Sequence, residues 1–253
     1  HPSLQSPDGI RHGAFCCLRL NIKLPVAARL RLNVQGLRLD GGTRQRPALW
    51  AGMVSGIHFG PIAANAVHLC VDMQRLFAED TAWRTPWMAR VLPVVVRLCE
   101  RKAERTCFTR FIPARSPREG EGTWRRYWRR WASMTLENLG EERVELLPEL
   151  QVFTPPARVL DKSRYSPWLN TGLASALMAS QVDTLVVTGA ETDMCVLATV
   201  LGAVDMGFRV VVVSDALCSS SDQSHDALLA LYHDRFGQQI ETAECDEVLE
   251  MWA

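Results

Sequence analysis

The chain has 253 residues, 47% hydrophobic and 22% charged, with 28 Lys and Arg against 28 Asp and Glu. That length and apolar content supply a sizeable core and exclude a disordered tail or a coiled coil. The charge is uneven: residues 1–50 hold eight basic side chains and two acids, which leaves 20 basic and 26 acidic side chains for the rest, so the main body lacks the clustered cations of a nucleic-acid binder and a small-molecule partner is expected.

Residues 1–52 are Arg-rich and acid-poor, with no sustained helical or strand period. They read as an organelle transit segment or, preferably, as a disordered or extraneous N-terminal extension. The globular pattern begins at Met53, which gives one domain over 53–253. The eight cysteines at 16, 17, 70, 99, 107, 195, 218 and 245 contain no CxxC pair, and several sit in apolar runs where a thiol acts as a small hydrophobe, so a reducing, cytoplasmic compartment is expected. No apolar stretch approaches the roughly 18 residues of a membrane helix, and no membrane partner is expected.

From Ala66 onward, short apolar runs alternate with longer amphipathic segments, the pattern of repeated βαβ units and a mostly parallel sheet. Strands are expected near 66–72, 105–111, 157–161, 183–189 and 208–214, with a short one near 239–242. Helices are expected over 86–102, 122–138, 171–181, 193–207, 222–236 and 245–252. In such a sheet, ligands bind beyond the carboxyl ends of the strands.

Three of those ends deliver a reactive side chain: Asp72 closes the first strand, Lys162 follows the third, and Cys195 sits past the fourth at the start of a helix. A thiol on a first helical turn faces unpaired N–H groups, and a nearby lysine would favour the thiolate further. A nearby carboxylate could move the proton. Taken singly, Asp72 is equally a capping residue, Lys162 a solvated lysine and Cys195 an apolar filler.

The segments Val71-Asp72-Met73-Gln74-Arg75-Leu76-Phe77, Asp161-Lys162-Ser163 and Gly189-Ala190-Glu191-Thr192-Asp193-Met194-Cys195-Val196 resemble, in order and spacing, the signature blocks of isochorismatase-like cysteine hydrolases. The resemblance runs from about Asn65 to the C-terminus. It implies a three-layer α/β/α fold with a mostly parallel six-stranded sheet, and an Asp/Lys/Cys triad at Asp72, Lys162 and Cys195. It also implies a cis peptide at Ala190–Glu191 and an oxyanion hole from the backbone N–H groups of Glu191 and Cys195, although Glu191 departs from the small residue common there. No cofactor is implied, and a homo-oligomer is.

Nicotinamidase-like relatives bind zinc through an Asp and two His after the second strand, whereas this chain has no histidine between His68 and His225, so no metal is expected. Relatives that cleave the vinyl ether of isochorismate lack the nucleophilic cysteine. Cys195 therefore favours hydrolysis of a small amide or N-carbamoyl C–N bond through a thioester; the alternatives are the vinyl-ether hydrolase and a binding protein without turnover. Arg110 is a candidate anchor for a substrate carboxylate or else a surface arginine, and Phe77, Tyr165 and Trp168 are candidate pocket walls or else ordinary core.

The run Trp124-Arg125-Arg126-Tyr127-Trp128-Arg129-Arg130-Trp131 mixes bases and rings in a way that suits single-stranded nucleic acid. At helical spacing, however, Trp124, Tyr127, Trp128 and Trp131 form one apolar stripe. A helix packed on the sheet or on another subunit is the better reading. His225 and His233 read as structural residues on a helix capped by the Ser219–Asp222 run.

Overall fold

In the computed structural model, which describes residues 55–253, the apolar runs become six strands. They are β1 (Val67–Val71), β2 (Thr106–Phe111), β3 (Arg158–Lys162), β4 (Thr184–Ala190), β5 (Arg209–Cys218) and β6 (Ile240–Ala243). The expected extension over 1–52 and the domain start at Met53 lie outside the described residues. Every pairing is parallel, in the order β3-β2-β1-β4-β5-β6. Each strand falls close to its expected span; β5 runs on to Cys218, past the expected end at 214.

The helices are α1 (Arg75–Ala78), α2 (Met88–Lys102), α3 (Trp124–Arg130), α4 (Leu136–Leu139), α5 (Pro148–Gln151), α6 (Leu173–Ala179), α7 (Leu197–Asp205), α8 (Asp222–Arg235) and α9 (Cys245–Met251). The helix expected over 122–138 is broken. Trp131 leaves helical geometry (φ −103°, ψ 43°), a 3₁₀ turn covers Ala132–Met134, and Thr135 is extended. The Thr135 hydroxyl and the Asn138 amide both donate to the Ala132 carbonyl, each at 2.8 Å, and such local bonds compete with a continuous helix. The helix expected over 193–207 likewise opens as a π-helical turn over Thr192–Val196 before α7.

Side-chain alternation sorts the strands into two cores. Cys70, Phe108, Val186 and Val211 face the layer that holds α2 and α9, while Leu69, Val71, Val187 and Val212 face the layer with Leu177 of α6, Val200 of α7 and Tyr232 of α8. The arrangement is three-layer α/β/α. Burial on both faces is why the central strands read as continuous apolar runs. Chain direction across the sheet reverses between β1 and β4, and a crevice opens above their carboxyl ends.

Candidate active site

The three strand-end residues meet above that crevice. Asp72, just past β1, has φ 50° and is fully buried. Its backbone N–H donates to the Thr109 carbonyl at 3.1 Å, and the Thr109 hydroxyl donates to its Oδ1 at 2.5 Å. Lys162 Nζ donates to Asp72 Oδ2 at 2.7 Å, to the Arg164 carbonyl at 3.1 Å and to Cys195 Sγ at 3.3 Å. An ammonium has three N–H donors, so those of Lys162 are fully committed. Gln74 locks the neighbouring backbone: its amide donates to the carbonyls of Phe111 and Val144 and accepts from Phe111 N–H at 2.7 Å.

Gly189 brings β4 against β1 at this point. Its φ is +109°, and a Cβ there would lie 2.1 Å from the Val71 carbonyl oxygen, which only glycine permits. Past it the Ala190–Glu191 peptide is cis, and the π turn carries Cys195 to Lys162. Thr192 Oγ donates to the Cys218 carbonyl at 3.1 Å and lies 2.8 Å from His225 Nδ1. Asp193 accepts from the hydroxyls of Ser219 and Ser224, both at 2.5 Å. The loop under Cys195 is thus tied to the cap of α8, where Ser221 Oγ accepts from Ser224 N–H.

The electrostatics differ from the expected resting thiolate. Burial pushes the Cys195 thiol well above its ordinary range, the Asp72 carboxylate pushes it further, and Lys162 opposes both without cancelling them. Cys195 therefore rests as a thiol. Burial alone would pull Lys162 down, but the Asp72 carboxylate and the contacts with Asp72 and Cys195 hold it above the usual lysine range. It stays an ammonium.

A cavity of about 340 Å³, mouth included, opens beside Cys195. Phe77 and Tyr165 line it. Trp83, Phe111, Tyr127 and Met194 line it too; none was expected as a pocket wall from sequence, although Tyr127 was placed on the apolar stripe. Trp83 is the hub of the wall: its ring centroid lies 5.9–6.1 Å from those of Phe77, Phe111, Tyr127, Trp128 and Trp131. The stripe on α3 is therefore the back of a pocket. Glu191 supplies the remaining polar lining; one carboxylate oxygen accepts from Ser220 N–H at 3.0 Å, and burial holds its pKa above the usual carboxylate range.

Two expected pocket residues lie elsewhere. Arg110 falls between Thr109 and Phe111 on β2, so alternation turns it to the opposite face. There its fork donates to both carboxylate oxygens of Asp161 (2.7 and 3.0 Å) and to Glu145 (2.6 Å). It does not line the cavity. Trp168 stacks on Phe208 with ring centroids 6.0 Å apart and donates to the Thr199 carbonyl at 2.9 Å, so it packs against α7.

The side chains beside the triad do not fit a zinc ion of the nicotinamidase type. No imidazole lines the cavity, and His68 is buried in β1 between the hydroxyls of Thr106 and Thr188, with burial lowering its pKa to about 3. Among the described residues no group of three or more His, Cys, Asp or Glu is placed to hold a metal, and no helix is long and apolar enough to cross a membrane.

Residues 66–244 match the isochorismatase domain family. The chain is 27% identical over 167 residues to a probable inactive nicotinamidase of Arabidopsis thaliana, covering 64% of this chain and 85% of that one. It is 33% identical over 82 residues to maleamate amidohydrolase of Pseudomonas putida, covering 32% and 38%; the chain spans under half the length of several curated relatives it matches. A cysteine hydrolase from Pseudomonas syringae has the same fold, with a TM-score of 0.64 at 23% identity over 74% of this chain and 92% of that one.

Proposed function

Because the chain belongs to the isochorismatase family, we propose that it is a cysteine-dependent hydrolase that cleaves the C–N bond of a small amide or N-carbamoyl compound. The reading rests on one observation above all: Lys162 Nζ bridges Asp72 Oδ2 at 2.7 Å and Cys195 Sγ at 3.3 Å beside an aromatic pocket. Asp72 takes the Sγ proton as sulfur attacks the carbonyl carbon. The oxyanion is received by the backbone N–H groups of Glu191 and Cys195, and each such donor is worth about 3 kcal/mol to a barrier of this kind. Collapse breaks the C–N bond, Asp72 returns the proton to the leaving nitrogen, and ammonia or an amine departs. Water then attacks the thioester, Asp72 takes its proton, the C–S bond breaks, and Asp72 returns the proton to Sγ, releasing the carboxylic acid and restoring the Cys195 thiol. Lys162 keeps its proton throughout and holds Asp72 and Cys195 in register.

The names of relatives support amide chemistry: one is a maleamate amidohydrolase, and an N-carbamoylsarcosine amidase of Thermoplasma acidophilum shares the fold. Six unpaired thiols among the described residues support a reducing, cytoplasmic setting. A panel of primary amides and N-carbamoyl compounds, assayed for released ammonia, tests the reading. Turnover with at least one of them, a mass increment on Cys195 matching the acyl group, and loss of both in Cys195→Ala are expected. No release from any compound, or release that persists in Cys195→Ala, would leave a binding protein on this fold as the better account.

A further inference from the structure

The cavity has an unbalanced charge that the proposed reaction does not use. Its lining holds one carboxylate, Glu191, and no basic side chain. The nearest cation, Lys162, has every N–H committed, and the Arg110 fork is closed by Asp161 and Glu145 on the other face of β2. Arg164 lies a layer behind, over the Trp124 ring at 4.9 Å, and donates to the Ser163 carbonyl. A substrate carboxylate entering this cavity would meet Glu191 with no free donor cation in the lining.

Aromatic rings share the cavity wall with Glu191. Trp83, Tyr127 and Tyr165 line the same cavity, and the Glu191 charge reaches both tyrosines, adding to the burial that already raises their phenols. The Glu191 carboxylate is met by Ser220, through the backbone N–H and the side chain, and by no cation in the lining. Aromatic faces attract a cation within about 6 Å, and the attraction strengthens when water is excluded. A carboxylate on the same wall adds charge complementarity that a neutral amide cannot use.

We propose, on the amide-hydrolase reading above, that the substrate carries an ammonium group, methylated or protonated, held by Glu191 against the ring faces of Trp83, Tyr127 and Tyr165. The amide carbonyl then reaches Cys195 while the cationic end fills the aromatic pocket. The site selects for positive charge and against carboxylates.

Three amides of similar size separate charge from shape: trimethylammonioacetamide, its neutral isostere 3,3-dimethylbutanamide, and succinamate. Ammonia release gives kcat/KM for each with the parent protein and with Glu191→Gln. The parent should prefer the cation over the isostere by about tenfold or more, the scale of a desolvated cation–π contact, and succinamate should be the poorest. In Glu191→Gln the cation-to-isostere ratio should fall to within about threefold. Equal or better hydrolysis of the isostere by the parent, or a ratio unmoved by the substitution, overturns the proposal while leaving amide hydrolysis standing. Should none of the amides turn over, calorimetric binding of tetramethylammonium and of trimethylammonioacetamide to the parent and to Glu191→Gln decides it. Binding weakened in the variant supports the cation site even as the hydrolase reading falls; absent binding, or binding unmoved by the substitution, overturns it.

Discussion

Asp72→Asn keeps the shape of the side chain and one acceptor oxygen but removes the charge that faces Lys162. Both side chains of that pair are fully buried, so the ammonium would remain in a water-excluded site without its counter-ion. Breaking a buried pair from one side costs about 3–5 kcal/mol, and the hydrogen bond that the amide oxygen still accepts returns about 1 kcal/mol. The net loss is about 3 kcal/mol, which for a domain of this size lowers Tm by about 6–12 °C.

The pH dependence carries a sign. In the parent, Lys162 is held above the usual lysine range, so its stabilisation is complete at neutral pH and is lost only as the pH climbs through that raised value. In the variant the Asp72 charge is gone, burial still pulls Lys162 downward, and only the contact with Cys195 opposes it. The charged lysine then costs stability at neutral pH, and the cost fades as it deprotonates. Melting followed by circular dichroism at about pH 7 and about pH 9.5 should show the gap between the proteins narrowing at the higher pH. Turnover should fall roughly a hundred- to ten-thousand-fold, the worth of a positioned proton transfer. A Tm within about 2 °C of the parent at neutral pH, or a gap that widens with pH, would refute the buried-pair argument.

The remaining expectations need less development. Lys162→Met should raise the titration midpoint of Cys195, since Lys162 is what opposes burial and Asp72 there; iodoacetamide labelling against pH, with the labelled peptide mapped, reads it, and an unmoved midpoint would separate Lys162 from the thiol. Gly189→Ala sets a Cβ 2.1 Å from the Val71 oxygen at φ +109° and should cost more than about 4 kcal/mol in urea unfolding; a loss below about 1 kcal/mol would mean that β1 and β4 separate there at little cost. Arg110→Met should leave the relative rates on anionic and neutral amides within about twofold of the parent, whereas a selective loss on the anionic amide would return Arg110 to substrate binding.

The strands were legible because burial on both faces writes itself as uninterrupted apolar runs. Asp72, Lys162 and Cys195 could be placed together because each lies at or shortly past the carboxyl end of a strand, although β3 itself is largely exposed. The pocket was harder to read. Trp83 lies in the connection between α1 and α2, which has no period, and nothing local tells its ring to seat among five others. Arg110 was open to correction from the sequence itself: it sits at odd spacing from Thr109 and Phe111 on one strand, so it could not share the face of both. Trp168 sits six residues after Lys162, by which point the chain has left the crevice for α7. The break after Arg130 depends on hydrogen bonds from Thr135 and Asn138 that propensity does not reveal.

The reactive groups and the pocket wall belong to different parts of the chain. Asp72, Lys162 and Cys195 are fixed to the carboxyl ends of β1, β3 and β4, where any shift would disturb the parallel ladder. Trp83, Tyr127 and Tyr165 hang from connections between those strands. Drift in the connections can therefore reshape what the cavity admits while the reacting atoms keep their distances. Such a molecule is evolvable in a specific sense: its selectivity can diverge through residues 79–87, 112–157 and 163–172, and libraries confined to those stretches should yield new preferences far more often than libraries aimed at the strand ends.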